Sequence, residues 1–218
     1  MKKKGGFEVP KPLYIVLEGV DSCGKTTQSM MLADVLGAQL TREPGSTAIG
    51  QKLREILLDP SNRAITPLTE LLLMNADRVQ NLSEKVKPSL SLGRSVVSDR
   101  SFVSTLAYQG IVRGLDFDLV LQVCEIAIEG VRPDIVILLD IDMEQVRARR
   151  GRGQHDSTDR FEQEADDFRE KLITAYREIT RRVQGIRFVW VDARGSTNEV
   201  HTSILGIVKQ LQKELDND

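Results

Sequence analysis

Residues 19–27 read Gly-Val-Asp-Ser-Cys-Gly-Lys-Thr-Thr and meet the phosphate-loop pattern G-x-x-x-x-G-K-[ST] at each fixed position. The chemistry open to such a segment is anion binding. Its glycines let the backbone curl so that successive N–H groups converge as an anion nest, and a following helix adds partial positive charge. Lys25 is then placed to reach the β- and γ-phosphates of a nucleoside triphosphate, and the Thr26 hydroxyl to ligate Mg²⁺. Gly19, Val20, Asp21, Ser22, Cys23, Gly24 and Thr27 complete the expected cradle. The plainer reading is a glycine turn that happens to carry a lysine. The flanks argue against it, because a β-rich run ends at Glu18 and a helical pattern runs from Thr27 to Leu36. ATP is therefore the expected phosphate source.

Two further constellations bear on what happens to the phosphate. Val96-Val97-Ser98-Asp99-Arg100 is an apolar strand ending in an acid, which puts a carboxylate beside a Mg²⁺ shell at the carboxyl edge of a sheet. Arg100 would sit next to it, aimed at the phosphates. From Arg147 to Arg160 there are five arginines in 14 residues, with two glycines that predict a poor continuous helix. A solvated charged loop would explain such a run. Beside a phosphate loop, an arginine-dense flexible segment is also what phosphoryl transfer needs as a closing lid. Its chemical task would be charge neutralisation and exclusion of water.

The acceptor can be narrowed by its proton chemistry. A hydroxyl acceptor benefits from a general base, whereas a phosphate monoester has a second pKa of about 6 and arrives as an anion. The chain has two histidines, His155 in the arginine-rich segment and His201 in the last helical run, and neither is a natural base. A phosphate acceptor is favoured, with Glu43 as the base if the acceptor is a hydroxyl instead.

The elements that must hold these residues alternate from end to end. Strands are predicted at Tyr14–Glu18, Ala38–Thr41, Ser95–Asp99, Ile135–Asp140 and Arg187–Asp192. The last three are nearly continuous in apolar residues, as strands buried on both faces are. Helices between them carry start signals: Thr66 before Pro67, and Asp142 with Gln145 three residues on. This pattern predicts an α/β fold, a five-stranded parallel sheet flanked by helices in three layers, with a lid segment at 147–160. One domain over residues 1–218 is expected, with 1–11 as a basic tail.

Composition excludes several alternatives. A net charge of −2 over 218 residues gives no electrostatic footprint for nucleic acid, and no apolar run approaches a membrane span. The lysine-rich start lacks the apolar stretch of a secretory signal. Cys23 and Cys124 form no pattern, and a disulfide inside the phosphate loop would be hard to accommodate. A reducing, cytoplasmic setting is expected.

Residues along nearly the whole chain resemble the thymidylate kinase family, of the bacterial type with an arginine-rich lid. The matching segments are Glu18-Gly19-Val20-Asp21 into Gly24-Lys25-Thr26-Thr27, Thr41-Arg42-Glu43-Pro44-Gly45, and Leu53-Arg54-Glu55-Ile56-Leu57-Leu58. Ala76-Asp77-Arg78, Ala107-Tyr108-Gln109-Gly110, Arg132-Pro133-Asp134 and Asp159-Arg160-Phe161-Glu162 follow. The resemblance implies transfer of the γ-phosphoryl group of MgATP to dTMP by a homodimer. It implies Arg78 on the thymine edge, with Thr105 and Gln109 completing base recognition and Tyr108 packed near C2′. Arg54 and Arg100 would hold the acceptor phosphate, Asp21 would face the acceptor sugar or its phosphate, and Glu43 would line the same site. Lys25 and Arg100, with Arg149, Arg152 and Arg160 from the lid, are the catalytic candidates, and Thr26 and Asp99 the metal-ordering pair. Three positions depart from the pattern. Met74 stands where a phenylalanine stacks on thymine, Ser101 where an aromatic ring or histidine follows Asp-Arg, and Ser46 where a second glycine is usual. A different deoxynucleoside monophosphate kinase, or a deoxynucleoside kinase using Glu43 as base, is the alternative. A non-catalytic nucleotide switch would lack Lys25, the metal ligands or the lid arginines.

Overall fold

The computed structural model describes residues 11–152, 159–161 and 164–217. The expected tail at 1–11 therefore falls outside the described residues but for Lys11, and of the expected lid at 147–160 residues 153–158 do, His155 among them, as does Glu162. Of Arg152 the backbone alone is described.

The described residues form a five-stranded sheet in the order β2-β3-β1-β4-β5, with every neighbouring pair parallel. The strands are β1 Tyr14–Glu18, β2 Gln39–Arg42, β3 Val96–Asp99, β4 Ile135–Asp140 and β5 Arg187–Asp192. Tyr14, Ile15, Val16 and Leu17 of β1 are buried, as are Val96 and Val97 of β3 and Ile135–Leu139 of β4. These central strands are covered on both faces, so their sequences read as continuous apolar runs. Each such side chain contributes roughly 1.5–3 kcal/mol by leaving water.

Strand β1 has β3 on one side and β4 on the other, so the chain crosses in opposite directions on leaving it. Ligand crevices in open parallel sheets form at that switch point, outside the carboxyl ends of the strands. The phosphate loop leaves β1 there and runs into α1, Lys25–Leu36. Helices α2 (Ala48–Leu58) and α3 (Pro67–Asn81) follow β2, and a π-helical turn at Leu82–Val86 leads into α4, Lys87–Ser91. Thr66 caps α3 as expected, its side chain accepting from the Thr69 N–H. After β3 come α5 (Phe102–Thr105), a π-helical turn at Leu106–Val112, and α6, Phe117–Ile128. Helices α7 (Met143–Arg152), α8 (Asp166–Arg182) and α9 (Thr197–Leu215) complete the layers.

The arginine-rich segment departs from expectation at its start. Residues 147–152 continue α7, Gly151 included, where the glycines predicted a break. One glycine costs a helix only about 1 kcal/mol. Asp142 offsets part of this by accepting from the Gln145 N–H at 2.9 Å, and Arg147 pairs with Asp166 of α8 at 2.7 Å. The capping box expected at Asp142 forms only this half, and Gln145 Oε1 has no partner. The reciprocal box is at Ser196 and Glu199, at the start of α9.

Candidate active site

Gly19 opens the phosphate loop at φ 140°, a backbone region closed to most side chains. A Cβ there would lie 2.9 Å from Cys23 Sγ and 3.0 Å from the Leu139 carbonyl oxygen, so the close packing of loop on strand needs glycine. Lys25 is buried, and its ammonium donates to the Val20 carbonyl at 2.7 Å. Its charge is thus held inside the loop. Thr26 Oγ1 donates to Asp99 Oδ2 at 2.6 Å, which joins the loop to the end of β3. A hydroxyl and a carboxylate side by side form an oxygen donor set of the kind Mg²⁺ takes.

Arg100 follows at φ 75°, and its guanidinium turns back under the loop. Nη1 donates to the Gly19 carbonyl at 3.2 Å and to Ser104 Oγ at 3.0 Å, while Nη2 is ion-paired with Asp21. The Tyr108 ring lies 5.3 Å from the guanidinium, and its hydroxyl donates to Asp21 Oδ2 at 3.3 Å. Burial alone would raise the Asp21 carboxyl. Arg100 and Lys25 outweigh it and hold Asp21 below its usual range.

Glu18 supports this arrangement from beneath and was not a candidate from sequence. It is fully buried at the end of β1, and its carboxylate accepts from the Ser101 N–H at 2.8 Å and from Ser101 Oγ and the Ser104 N–H at 3.1 Å each. Ser104 Oγ at 2.6 Å and the Tyr176 hydroxyl at 3.2 Å donate to its second oxygen. Glu18 therefore caps the start of α5 and orders the two hydroxyls that receive Arg100. Burial pushes its pKa up, against the opposing pull of Arg100 and these hydrogen bonds. The clue in the sequence was an acid ending an apolar strand. Tyr176, 158 residues away, gave none.

A cavity of about 430 Å³ opens from the loop across the carboxyl edge of β2 and β3. Met74, Arg78, Thr105, Tyr108 and Gln109 line it together with Asp21, Glu43 and Arg54. Arg78 is buried, with Nε on Glu43 Oε2 at 2.8 Å, Nη1 on Asn75 Oδ1 at 2.7 Å and Nη2 on Thr105 Oγ1 at 2.9 Å. Glu43 gives its other oxygen to Asn81 Nδ2 at 3.1 Å. Arg78 and Asn81 thus each hold one oxygen of the Glu43 carboxylate and fix its orientation on the cavity wall. Arg54 reaches the cavity over Gly45, its Nη1 donating to the Pro44 carbonyl at 3.0 Å. A Cβ at Gly45, where φ is 110°, would lie 2.7 Å from Arg54 Cδ. Burial and the nearby Arg42 guanidinium lower the Arg54 pKa. Two cations lining one wall suit a phosphate dianion.

A second cavity, about 560 Å³, shares Ser22, Gly24, Thr27 and Arg149 with the first. It continues over Gln28 and Gln145 to Arg194–Thr197. Arg149 stands between the two, donating to the Cys23 carbonyl at 2.9 Å and the Ala193 carbonyl at 2.5 Å. Arg160 is not brought to the phosphate loop. Its Nε donates to the Leu57 carbonyl at 3.0 Å, its Nη2 pairs with Glu70 of α3, and its guanidinium covers Phe161 at 4.7 Å. The side chain of Arg152 lies outside the description. Arg42, Leu58, Ser104, Asp159 and Phe161 line the first cavity without having been singled out in sequence. Phe161 packs edge-on to Tyr108 at 5.6 Å.

Comparison with known proteins shows the family. A family model described as "Thymidylate kinase" matches residues 17–204. The chain belongs to the thymidylate kinase family. It is 41% identical over 214 residues to a thymidylate kinase from Desulforapulum autotrophicum, covering 93% of this chain and 94% of that one. It is 40% identical over 205 residues to a thymidylate kinase from a Thermoanaerobacter species, covering 92% and 98%. The crystal structure of thymidylate kinase from Ehrlichia chaffeensis superposes with a TM-score of 0.73 at 28% identity, covering 91% of this chain and all of that one.

Proposed function

We propose that the chain transfers the γ-phosphoryl group of ATP to the 5′-phosphate of dTMP, giving dTDP and ADP. The carrying observation is the cavity that joins the phosphate loop to the Arg78–Thr105–Gln109 floor, with Arg54 and Arg100 between them. The donor's phosphates rest on the loop and its base extends into the second cavity. The acceptor's base meets Arg78, and its phosphate meets Arg54 and Arg100. Positioning and charge neutralisation supply the catalysis, because the attacking phosphate oxygen is already an anion. Lys25 and Arg100 spread the transferring charge. Arg149 reaches over it from α7, and Arg160 holds its end of the arginine-rich segment against Glu70. Mg²⁺ fits at Thr26 and Asp99, where it would neutralise donor phosphate oxygens.

Helix α3 packs between α2 and α6 and leaves Leu68, Leu72 and Val79 substantially exposed, with Ile49 and Ile56 on α2 and Ile126 on α6. This face is our candidate for pairing two copies, which sedimentation of the purified chain tests. Among the described residues no helix is long and apolar enough to cross a membrane. Our reading places the enzyme in the cytoplasm with its nucleotide substrates. Phosphorus NMR of the chain with MgATP and dTMP tests the reaction: dTDP is expected, and release of inorganic phosphate alone would refute transfer.

A further inference from the structure

A carboxamide presents a donor at one end and an acceptor at the other, so its orientation decides what it can read. Gln109 Nε2 donates to Glu70 Oε1 at 2.6 Å, and both side chains are buried. Glu70 also accepts from Arg160 through its second oxygen, and Arg113 lies 3.6 Å from the first. A carboxylate facing two guanidinium groups accepts and does not donate. The Gln109 nitrogen must therefore face Glu70, which leaves the oxygen as the end available to a ligand. Gln109 Oε1 is buried without a hydrogen-bond partner, in a side chain that lines the first cavity.

Arg78 supplies the opposite polarity on the same floor. A guanidinium has five N–H donors. Glu43, Asn75, Thr105 and the Cys124 sulfur at 3.9 Å take four of them, leaving one N–H on Nη2. One donor and one acceptor then face the acceptor's base. Thymine and uracil offer the matching pair, the O4 carbonyl and the N3–H. Cytosine offers an amino group and a bare ring nitrogen, reversed at both places.

We propose that Glu70 is a specificity-determining positioning residue: by fixing the Gln109 amide, it makes the cavity accept 4-oxo and reject 4-amino pyrimidines. This rests on the reading that the first cavity takes a pyrimidine monophosphate. Gln109 would touch the base, whereas Glu70 reaches the base only by orienting Gln109. An amide in place of Glu70 could donate as well as accept, which frees Gln109 to turn over.

The test is kcat/KM for dTMP, dUMP and dCMP with the full-length chain and its Glu70→Gln variant. The wild-type chain is expected to prefer dTMP over dCMP by roughly ten-thousandfold or more, as sites built around paired polar groups do. In Glu70→Gln that ratio is expected to shrink by roughly tenfold or more, while the dTMP to dUMP ratio holds, since both bases are 4-oxo. Equal losses on all three acceptors would overturn the proposal and leave Glu70 a scaffold residue. Should Glu70→Gln fail to fold, Glu70→Ala decides the matter by the same three rates: a dTMP to dCMP ratio that falls while the dTMP to dUMP ratio holds supports the proposal, and an unchanged ratio overturns it. Absence of turnover by the wild-type chain on all three would instead refute the underlying function, and this inference with it.

Discussion

Thr26 Oγ1 lies 2.6 Å from Asp99 Oδ2, a hydrogen bond that ties the first turn of α1 to the end of β3 across 73 residues of sequence. The two side chains therefore act as one unit at the mouth of the phosphate loop. Thr26→Ala and Asp99→Asn are each expected to lower kcat by about a hundredfold, the scale of a lost electrostatic contact in the transition state. The double variant is expected to be little worse than the poorer single one, as for residues acting together. Losses that multiply would show that the two work independently.

Arg100 reaches Asp21, the Gly19 carbonyl and Ser104 at once, and no other cation described here makes that bridge. Arg100→Ala is expected to cut turnover at least about tenfold. Arg100→Lys should not restore it, because one ammonium cannot reproduce the planar fork. Full activity in Arg100→Lys, measured at saturating ATP and dTMP, would remove the bridging role.

Asp77 is buried against Glu43, and burial first and Glu43 second push its pKa up to about 7. The unfolded value is about 3.9, so between these values the folded chain holds a proton that the unfolded chain has lost. The contribution to stability is complete below pH 4 and disappears as pH rises to 7, a loss on the order of 2–4 kcal/mol. Asp77→Asn keeps an acceptor for the Gly45 N–H and lacks the titration. Denaturant titrations at pH 5 and pH 8 should find the wild-type chain losing more stability than the variant. Parallel losses would mean that Asp77 does not carry the shift.

Met74 lines the first cavity, which Leu58, Tyr108 and Phe161 also line, and offers no flat face for a base to stack on. Met74→Phe is expected to lower the KM for dTMP by roughly threefold to tenfold, the worth of an aromatic pair, with kcat nearly unchanged. A higher KM would mean that Phe161 already fills the place a ring would take.

Much of this molecule was legible in its residues because local chemistry and global fold agree. The strands came within a residue of their ends, since buried parallel strands leave an unbroken apolar signature. The phosphate loop was readable because its glycines and lysine have few other uses, whereas the direct hydrogen bond from Thr26 to Asp99 was not foreseen. The supporting network was not. Glu18, Glu70 and Tyr176 act through partners tens of residues or more away, and a buried acid in sequence looks like a surface one. Arg160 shows the converse, since an arginine in a basic run gives no sign that it will turn onto Glu70. The start of the arginine-rich segment was misjudged because glycine weakens a helix less than a cap and an interhelical ion pair support it.

The most direct test of the whole account is initial rates of ADP release with MgATP and, in turn, dTMP, dUMP, dCMP, dGMP and thymidine. The account predicts fastest turnover with dTMP and essentially none with thymidine, which brings no 5′-phosphate to Arg54 and Arg100 and whose neutral hydroxyl, unlike a phosphate monoester, needs a general base. Faster turnover with thymidine than with dTMP would contradict it.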